Sequence, residues 1–419
     1  MKLAVIGGGS TYTPELVDGF ARLRDVLPID ELALIDIDPH RLEVVGAMAA
    51  RMFARAGHPG RITLHRDIVP GVSDADVVLI QLRVGGQQAR HGDETFPHPF
   101  HVLGQETTGP GGFAKALRTV PVVLECAEQV RRHAKPDAWI VDFTNPVGIV
   151  TRALLQAGHR AVGLCNVAIG FQRRFADLLG VDHRQVELDH VGLNHLTWEM
   201  GVRVDGRDRM EDLLTTHLED LAEEIEQPAE LIAMLRAVPS YYLEYYYSRD
   251  RVLEEQLHSI SRAQEVMQIE AKLMELYADP HVDTKPQLLQ ERGGAYYSEA
   301  AVDLIASLLS DARDVQVVNV LNNGSLPFLP DDHVIEVPAT ITADGPVTVD
   351  LPALPPDMEG LVGAVAGYER LALDAALDGG RDRVVRALLA HPLVGQWDVA
   401  TGLADALIAR NRQWLPWAR

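Results

Sequence analysis

Lys2-Leu3-Ala4-Val5-Ile6-Gly7-Gly8-Gly9-Ser10-Thr11 is the stretch that decides the fold. A short apolar run meets three glycines and two hydroxyl residues, and Pro14 then opens a helical pattern. Strand, glycine turn and helix start is the layout that aims backbone N–H groups and a helix dipole at a pyrophosphate. The spacing Gly7-x-Gly9 fits the dinucleotide fingerprint, although Tyr12 stands where a third glycine is usual. A second apolar run, Leu32 to Ile35, ends in Asp36, the acid such a site needs for a ribose diol. A glycine run by itself is more simply a tight turn. With Asp36 behind it, dinucleotide binding by Gly7, Gly9, Ser10, Thr11 and Asp36 is the better reading.

Outward from there, a helix over Pro39 to Ala56, a strand over Ile62 to His65 and the run Val77 to Arg83 continue a β-α-β-α-β rhythm. That rhythm predicts an α/β fold with a doubly wound, Rossmann-like parallel sheet. Arg83 leaves its strand into Val84-Gly85-Gly86 at the ligand-binding edge, and Arg90 follows in the same connection. Thr95 to Gly112 reads as a long functional loop, followed by a helix from Phe113 to Ala134 and a strand from Trp139 to Phe143. Asn145, just past that strand, is either a helix cap or a ligand for a sugar hydroxyl or nicotinamide. Cys165 follows another short apolar run, Ala161 to Leu164, again where a site would open. Its thiolate and the imidazole of His195, in Val191-Gly192-Leu193-Asn194-His195, are competent metal ligands. Two such ligands are too few for a closed structural site.

Beyond Cys165 the pattern gives a helix (Ala168 to Leu179) and strands Val186 to Leu193 and Val202 to Val204, with Asp205-Gly206 as a hairpin turn. Alternation then yields to helices. The expected division is a nucleotide-binding domain over 1–180 and a mixed α+β lobe over 181–419 for substrate, metal and oligomerisation. Half of the ten tyrosines lie in Tyr241-Tyr242-Leu243-Glu244-Tyr245-Tyr246-Tyr247. Such a cluster is more simply core or interface, with room for one phenol in a cleft. A helix over Ser261 to Tyr277 turns Val266, Ile269, Leu273 and Leu276 inward, with Arg262 on the same face. An inward guanidinium needs a carboxylate, phosphate or carbonyl partner, so a structural ion pair competes evenly with a ligand role. Glu291-Arg292-Gly293-Gly294 is a further loop able to approach a ligand. The chain then reads as a strand (Val315 to Leu321), a β-rich stretch (His333 to Leu351) and two long helices after Gly360 that pack a core or a subunit interface.

The chain has 419 residues, 47% hydrophobic and 23% charged, which suits a two-lobed globular protein. A formal charge of -22 argues against a nucleic-acid partner, which needs a basic footprint. A local pocket of arginines still suits a small anion. Two cysteines make no disulfide framework, and no apolar run reaches the ~18 residues that span a bilayer. Met1-Lys2 leads directly into a strand pattern, so a cytoplasmic protein without a membrane partner is expected.

Taken together, Gly7-Gly8-Gly9-Ser10, Asp36-Ile37-Asp38, Arg83-Val84-Gly85, Gln105-Glu106-Thr107, Thr144-Asn145-Pro146, Cys165-Asn166-Val167 and Gly192-Leu193-Asn194-His195 give a sequence that resembles family 4 of the glycoside hydrolases, from Lys2 to about Asn411. The resemblance implies dependence on NAD and a divalent metal, unlike glycosidases built on two carboxylates. By the same resemblance Cys165 and His195 are the metal ligands. Tyr242, or its neighbour Tyr241, is the proton-abstracting base. Arg90, Asn145 and Arg262 contact the substrate. Asn166 takes the position where α-glucoside members carry an aspartate acid, and Cys-Asn-Val is the pattern of the 6-phospho-β-glucosidase branch. Ala168 departs from that branch, where proline is common. Arg83 and Asn145 join the cofactor set, and Asn166 and Arg292 the substrate set.

The implied chemistry is redox-neutral. NAD⁺ takes a hydride from C3 of the sugar, the ketone acidifies the C2 hydrogen, a base removes it, the C1 substituent leaves, water adds and the hydride returns. A Cys/His pair suits zinc, iron or cobalt by softness, but the family commonly uses manganese, which is placed first. The expected substrate is a 6-phospho-β-glucoside and the expected assembly a homodimer or homotetramer. The competing readings are α- or non-phosphorylated-glycoside specificity within the family, an NAD-dependent dehydrogenase of a sugar or hydroxy acid that releases NADH, and a nucleotide-sensing protein without turnover.

Overall fold

The opening run does form a strand, β1 (Lys2–Ile6), and Leu3, Ala4 and Val5 are at most 1% exposed. In the computed structural model, which describes residues 1–294 and 296–418, it lies inside a 13-stranded sheet. Five more strands run parallel to it: β2 (Glu31–Ile35), β3 (Arg61–His65), β4 (Val77–Ile80), β5 (Trp139–Asp142) and β6 (Ala161–Gly163). Their spatial order, β6-β5-β4-β1-β2-β3, is the doubly wound dinucleotide-binding order, whose crevice opens between β1 and β4. Apolar side chains fill both faces of β4, as a parallel sheet covered by helices on both sides requires.

The same sheet continues antiparallel through β7 (Val186–Leu193), β8 (Leu196–Val204), β9 (Arg207–Asp208), β10 (Val238–Pro239), β11 (Val315–Leu321), β12 (Val334–Thr342) and β13 (Gly345–Thr348). From β6 outward the order is β11-β12-β7-β8-β10, with β13 on β12 and β9 on β8. The fold is therefore α/β, with a Rossmann-like parallel half and a second, mainly antiparallel one. Among the described residues no helix is long and apolar enough to cross a membrane.

Several sequence expectations are corrected. Arg90 lies on a helix, Gly86–Thr95, and not in an irregular connection. That helix carries no apolar stripe because its buried positions are Asp93 and Glu94, held by Arg118 and Arg90. The helix expected from Phe113 begins at Gly109, with Pro110 in its first turn, so the expected long loop is shortened at its far end. The main hairpin turn is Asn194-His195, because β8 begins at Leu196; Asp205-Gly206 only joins β8 to the two-residue β9. Among the described residues three α-helices follow Pro355, not two: Pro356–Asp378, Arg381–Ala390 and Trp397–Asn411.

The helix Arg262–Ala278 buries Ala263, Val266, Glu270, Leu273 and Tyr277, whereas Leu276 is 36% exposed. Arg262 is also exposed, bonding Glu265 at 2.9 Å and the Glu291 carbonyl at 2.6 Å. The inward stripe cannot be extended to it because Ser261 caps the helix and Ala263 takes the inward place in the first turn.

Candidate active site

The glycine loop is shaped by contacts that leave no room for side chains. A Cβ on Gly7, where φ is +89°, would lie 2.7 Å from the Gln81 carbonyl oxygen, and one on Gly9 2.8 Å from Asp36 Oδ2. Asp36 Oδ2 accepts from Gly9 N at 2.9 Å and Oδ1 from Asp38 N at 3.0 Å, so the acid and the loop fix each other. Ser10 Oγ accepts from Tyr12 N, and Thr13 Oγ1 donates to the Gly8 carbonyl at 2.9 Å. Tyr12, in the place of a third glycine, buries its ring and reaches the Gly294 carbonyl.

A charged rim surrounds this loop. Arg292 Nε donates to Thr11 Oγ1 at 2.8 Å and its Nη2 to Glu270 at 3.1 Å; Arg41 Nε donates to the Gly9 carbonyl at 3.1 Å. Arg292, expected on the substrate side, is thus built into the nucleotide loop. Arg41 and Glu270 were not singled out from the sequence. Both lie in strongly helical runs, where a charged residue reads as solvated.

Past β4, Arg83 pairs with Glu106, whose other neighbours are Lys115 Nζ at 2.6 Å and Arg90 Nη2 at 3.3 Å. Burial alone would raise the Glu106 carboxyl, but Arg83, Arg90 and Lys115 hold it well below the usual range. Burial and Arg83 bring the Lys115 amine down to about 7. Arg90 also bonds Glu94 at 2.7 Å, so each arginine expected to meet an anion already faces a carboxylate or a carbonyl. Glu106 lay in a quoted motif without an assigned role. Its partners come from three separate segments, and no local signal joins them.

Asn145 follows β5 and precedes a cis Asn145–Pro146 peptide. The helix after it, Val147–Gln156, has Pro146 at its cap and no side-chain cap, so Asn145 does not serve as one. Its Oδ1 is buried without a hydrogen-bond partner. Below it, Asp142 accepts from Thr144 N through Oδ1 and leaves Oδ2 unpartnered; burial pushes this carboxyl up to about 8. An acid whose pKa rises from 3.8 to about 8 on folding binds its proton more tightly when folded, so stability falls as pH climbs through that window. Asp142→Asn is expected to gain on the wild type between pH 5 and pH 8 by on the order of 4 kcal/mol. Urea unfolding at the two pH values measures this, and a pH-independent difference would show that Asp142 stays ionised.

Cys165 and His195 are linked through Asn194, Glu336 and Tyr242. One row of paired residues runs Gly163, Asn319, Glu336, Gly192 across β6, β11, β12 and β7. Cys165 stands two residues past the first of these along β6, and Asn194 two past the last along β7, which runs the opposite way, so side chains make the link between them. Glu336 accepts from Asn194 Nδ2 at 2.7 Å and Asn319 Nδ2 at 2.8 Å, while Asn194 also bonds the Cys165 thiol. His190 lies between Glu199 at 2.6 Å and Glu336 at 3.1 Å; these two carboxylates outweigh burial and raise it to about 10. Of this buried set, Glu336 is the member that acts on both Cys165 and His195. Burial, then Glu336, pushes the Cys165 thiol far up, and burial takes His195 down to about 4.

The Tyr242 ring stacks on His195, centroids 3.6 Å apart and planes within 9°, while Tyr241 is 38% exposed. Burial, then Tyr241 and Cys165, hold the Tyr242 phenol well above its usual range. Tyr297 links this corner to the nucleotide loop: its ring centroid is 5.9 Å from Tyr12, and its phenol lies within electrostatic reach of Cys165. Among the described residues no third His, Cys, Asp or Glu joins Cys165 and His195 as a ligand. Asn166 begins the next helix, Val167–Leu179.

Comparison with known proteins adds to this geometry. The profile of the family 4 glycosyl hydrolases matches residues 2–181, and that of the family's C-terminal domain residues 190–394. The chain is 40% identical to a probable 6-phospho-beta-glucosidase of Bacillus subtilis (strain 168), over 99% of this chain and 97% of that one. It is 34% identical to a 6-phospho-beta-glucosidase of Escherichia coli (strain K12), over 99% and 96%. Its fold superposes with a TM-score of 0.93 on the 6-phospho-beta glucosidase of Thermotoga maritima solved with manganese, NAD+ and glucose-6-phosphate, at 35% identity and 99% coverage of both chains. With matches over both halves and relatives aligned nearly end to end, the chain belongs to family 4 of the glycosyl hydrolases.

Proposed function

We propose that this enzyme hydrolyses 6-phospho-β-glucosides, with NAD along the β1 loop and a divalent cation, manganese first, between Cys165 and His195. The observation that carries the proposal is the meeting of a thiol, an imidazole and a phenol at one edge of the sheet, tied through Tyr297 to the nucleotide loop. The residues fit both groups. The loop leaves no space for a Cβ at Gly7 or Gly9, Asn145 keeps an unpartnered buried oxygen, and a Cys/His pair is an open donor set near the Glu336 carboxylate.

NAD bound along the Gly7–Thr11 loop would supply reversible hydride transfer, and a cation held by Cys165 and His195 would supply Lewis acidity that makes a neighbouring C–H more acidic and draws the Tyr242 phenol down from the high value that burial imposes. The chain supplies the rest. Gly7, Gly9, Ser10 and Thr11 present the loop backbone to phosphates, and Asp36 accepts from a ribose diol. Arg292 and Arg41 give this loop positive charge, and Arg83 and Asn145 orient the nicotinamide end. Tyr242 Oη receives the proton from the sugar C2, beside the carbon that loses hydride. Asn166, Arg90 and Arg262 hold the sugar and its phosphate. A homodimer or homotetramer in the cytoplasm, with domains divided near Val181, belongs to the same reading; both cysteines are free thiols, which suits a reducing compartment.

A panel of nitrophenyl glycosides tests this: α and β anomers, with and without a 6-phosphate, assayed with NAD and Mn²⁺ under reducing conditions. Cleavage of the phosphorylated β anomer at catalytic NAD, without net NADH, is expected. Stoichiometric NADH would instead indicate a dehydrogenase, and preference for an α or unphosphorylated sugar would move the chain to another specificity of its family.

A further inference from the structure

The segment from Gly104 to Gly112 is held tightly enough to act as a template. A Cβ on Gly111 would lie 2.2 Å from the Gln105 carbonyl oxygen, and one on Gly112 2.3 Å from the carbonyl of Thr107, so this loop folds back onto the first turn of the helix Gly109–His133. The Gln105 side chain faces the backbone N–H groups of Thr107 and Thr108, the latter at 2.7 Å. Two N–H donors can only meet the amide oxygen, so Oε1 and not the NH2 group points at them. Thr107 Oγ1 lies 2.7 Å from the same Oε1, which has no hydrogen to give; the threonine must donate its only one there. The other neighbour of Thr107 Oγ1 is His195 Nδ1, also at 2.7 Å. With its hydrogen used, the hydroxyl can only accept, and Nδ1 must carry the proton.

From this chain of donors we infer that Gln105 and Thr107 are positioning residues that lock His195 in its Nδ1–H tautomer and leave Nε2 as the nitrogen that takes the cation. The inference rests on the metal-dependent reading above and names two groups outside the ligand set. It also explains why the ring is held twice, by Thr107 at its edge and by the Tyr242 stack on its face. A hydrogen bond from the second ring nitrogen is the usual way a metal-binding histidine is oriented, and its loss typically weakens metal binding 10–100-fold.

Two measurements test it. In metal-free wild type, two-bond ¹H–¹⁵N correlation spectra of histidine-labelled protein report the tautomer of His195, assigned with His195→Ala. The Nδ1–H form is expected, and the Nε2–H form overturns the inference. Mn²⁺ binding is then titrated by electron paramagnetic resonance in the presence of NAD. Thr107→Val, which replaces the hydroxyl by a methyl of similar size, is expected to bind Mn²⁺ about 10–100-fold more weakly and to show mixed tautomers. Thr107→Ser restores both. Unchanged Mn²⁺ affinity in Thr107→Val overturns the positioning role alone; no Mn²⁺ binding in wild type overturns the metal-dependent reading together with it.

Discussion

Cys165→Ser and His195→Ala are each expected to lower turnover of a nitrophenyl 6-phospho-β-glucoside by roughly 10³-fold or more, with NAD affinity nearly unchanged. The size follows from what a bound cation supplies, several kcal/mol of stabilisation for developing oxygen charge, at a tenfold change in rate per 1.36 kcal/mol. Serine nearly matches the thiol in shape but is a hard, neutral ligand that does not deprotonate beside Glu336, so the fold is kept and the grip is lost. The effect should stay local. Cys165 sits just past the end of β6 and His195 in the β7–β8 turn, while the loop proposed to hold NAD is built by β1, Asp36 and Gln81. Mn²⁺ titration followed by NAD titration separates the two functions. Parallel loss of NAD binding, or full activity in either variant, would remove these residues as metal ligands.

The parts of this arrangement that the sequence makes legible share a physical trait. Parallel strands covered on both faces are continuous apolar runs, so β1, β2 and β4 with their glycine turn can be read directly. Legibility fails where charge is buried. The helix Gly86–Thr95 turns Asp93 and Glu94 inward to meet arginines, and the early part of β8 buries Glu199 against His190; both look like surface to a hydrophobic pattern. Arg262 fails in the opposite sense, because its spacing from Val266 places it inward while the helix cap turns it to solvent. The active-site corner is the least local feature of all. Cys165 and His195 are brought together around Glu336, on a strand that enters the sheet about 150 residues later, between β6 and β7. The residue types reveal what each side chain can do, but only the inserted strands decide that they do it together.

Tyr242→Phe is expected to suppress exchange of the substrate's C2 hydrogen with solvent by about 10²–10⁴-fold, the usual contribution of a positioned general base. Phenylalanine keeps the ring that stacks on His195 and removes only the oxygen, so metal and NAD binding should persist. The doubled tyrosine makes a matched control available. Tyr241 is adjacent in sequence, its ring 4.7 Å from Tyr242 and 6.5 Å from Phe171 between centroids, but it is partly open to solvent, and the ring stacked on His195 is that of Tyr242. Tyr241→Phe should therefore leave exchange within a few-fold of wild type. Deuterium incorporation from D2O, followed by NMR on a slowly cleaved 6-phospho-glycoside, measures the step apart from bond cleavage. A Tyr242 variant that exchanges normally while Tyr241→Phe does not would assign the base to the neighbouring residue. Normal exchange in both variants would mean that neither phenol takes the C2 proton.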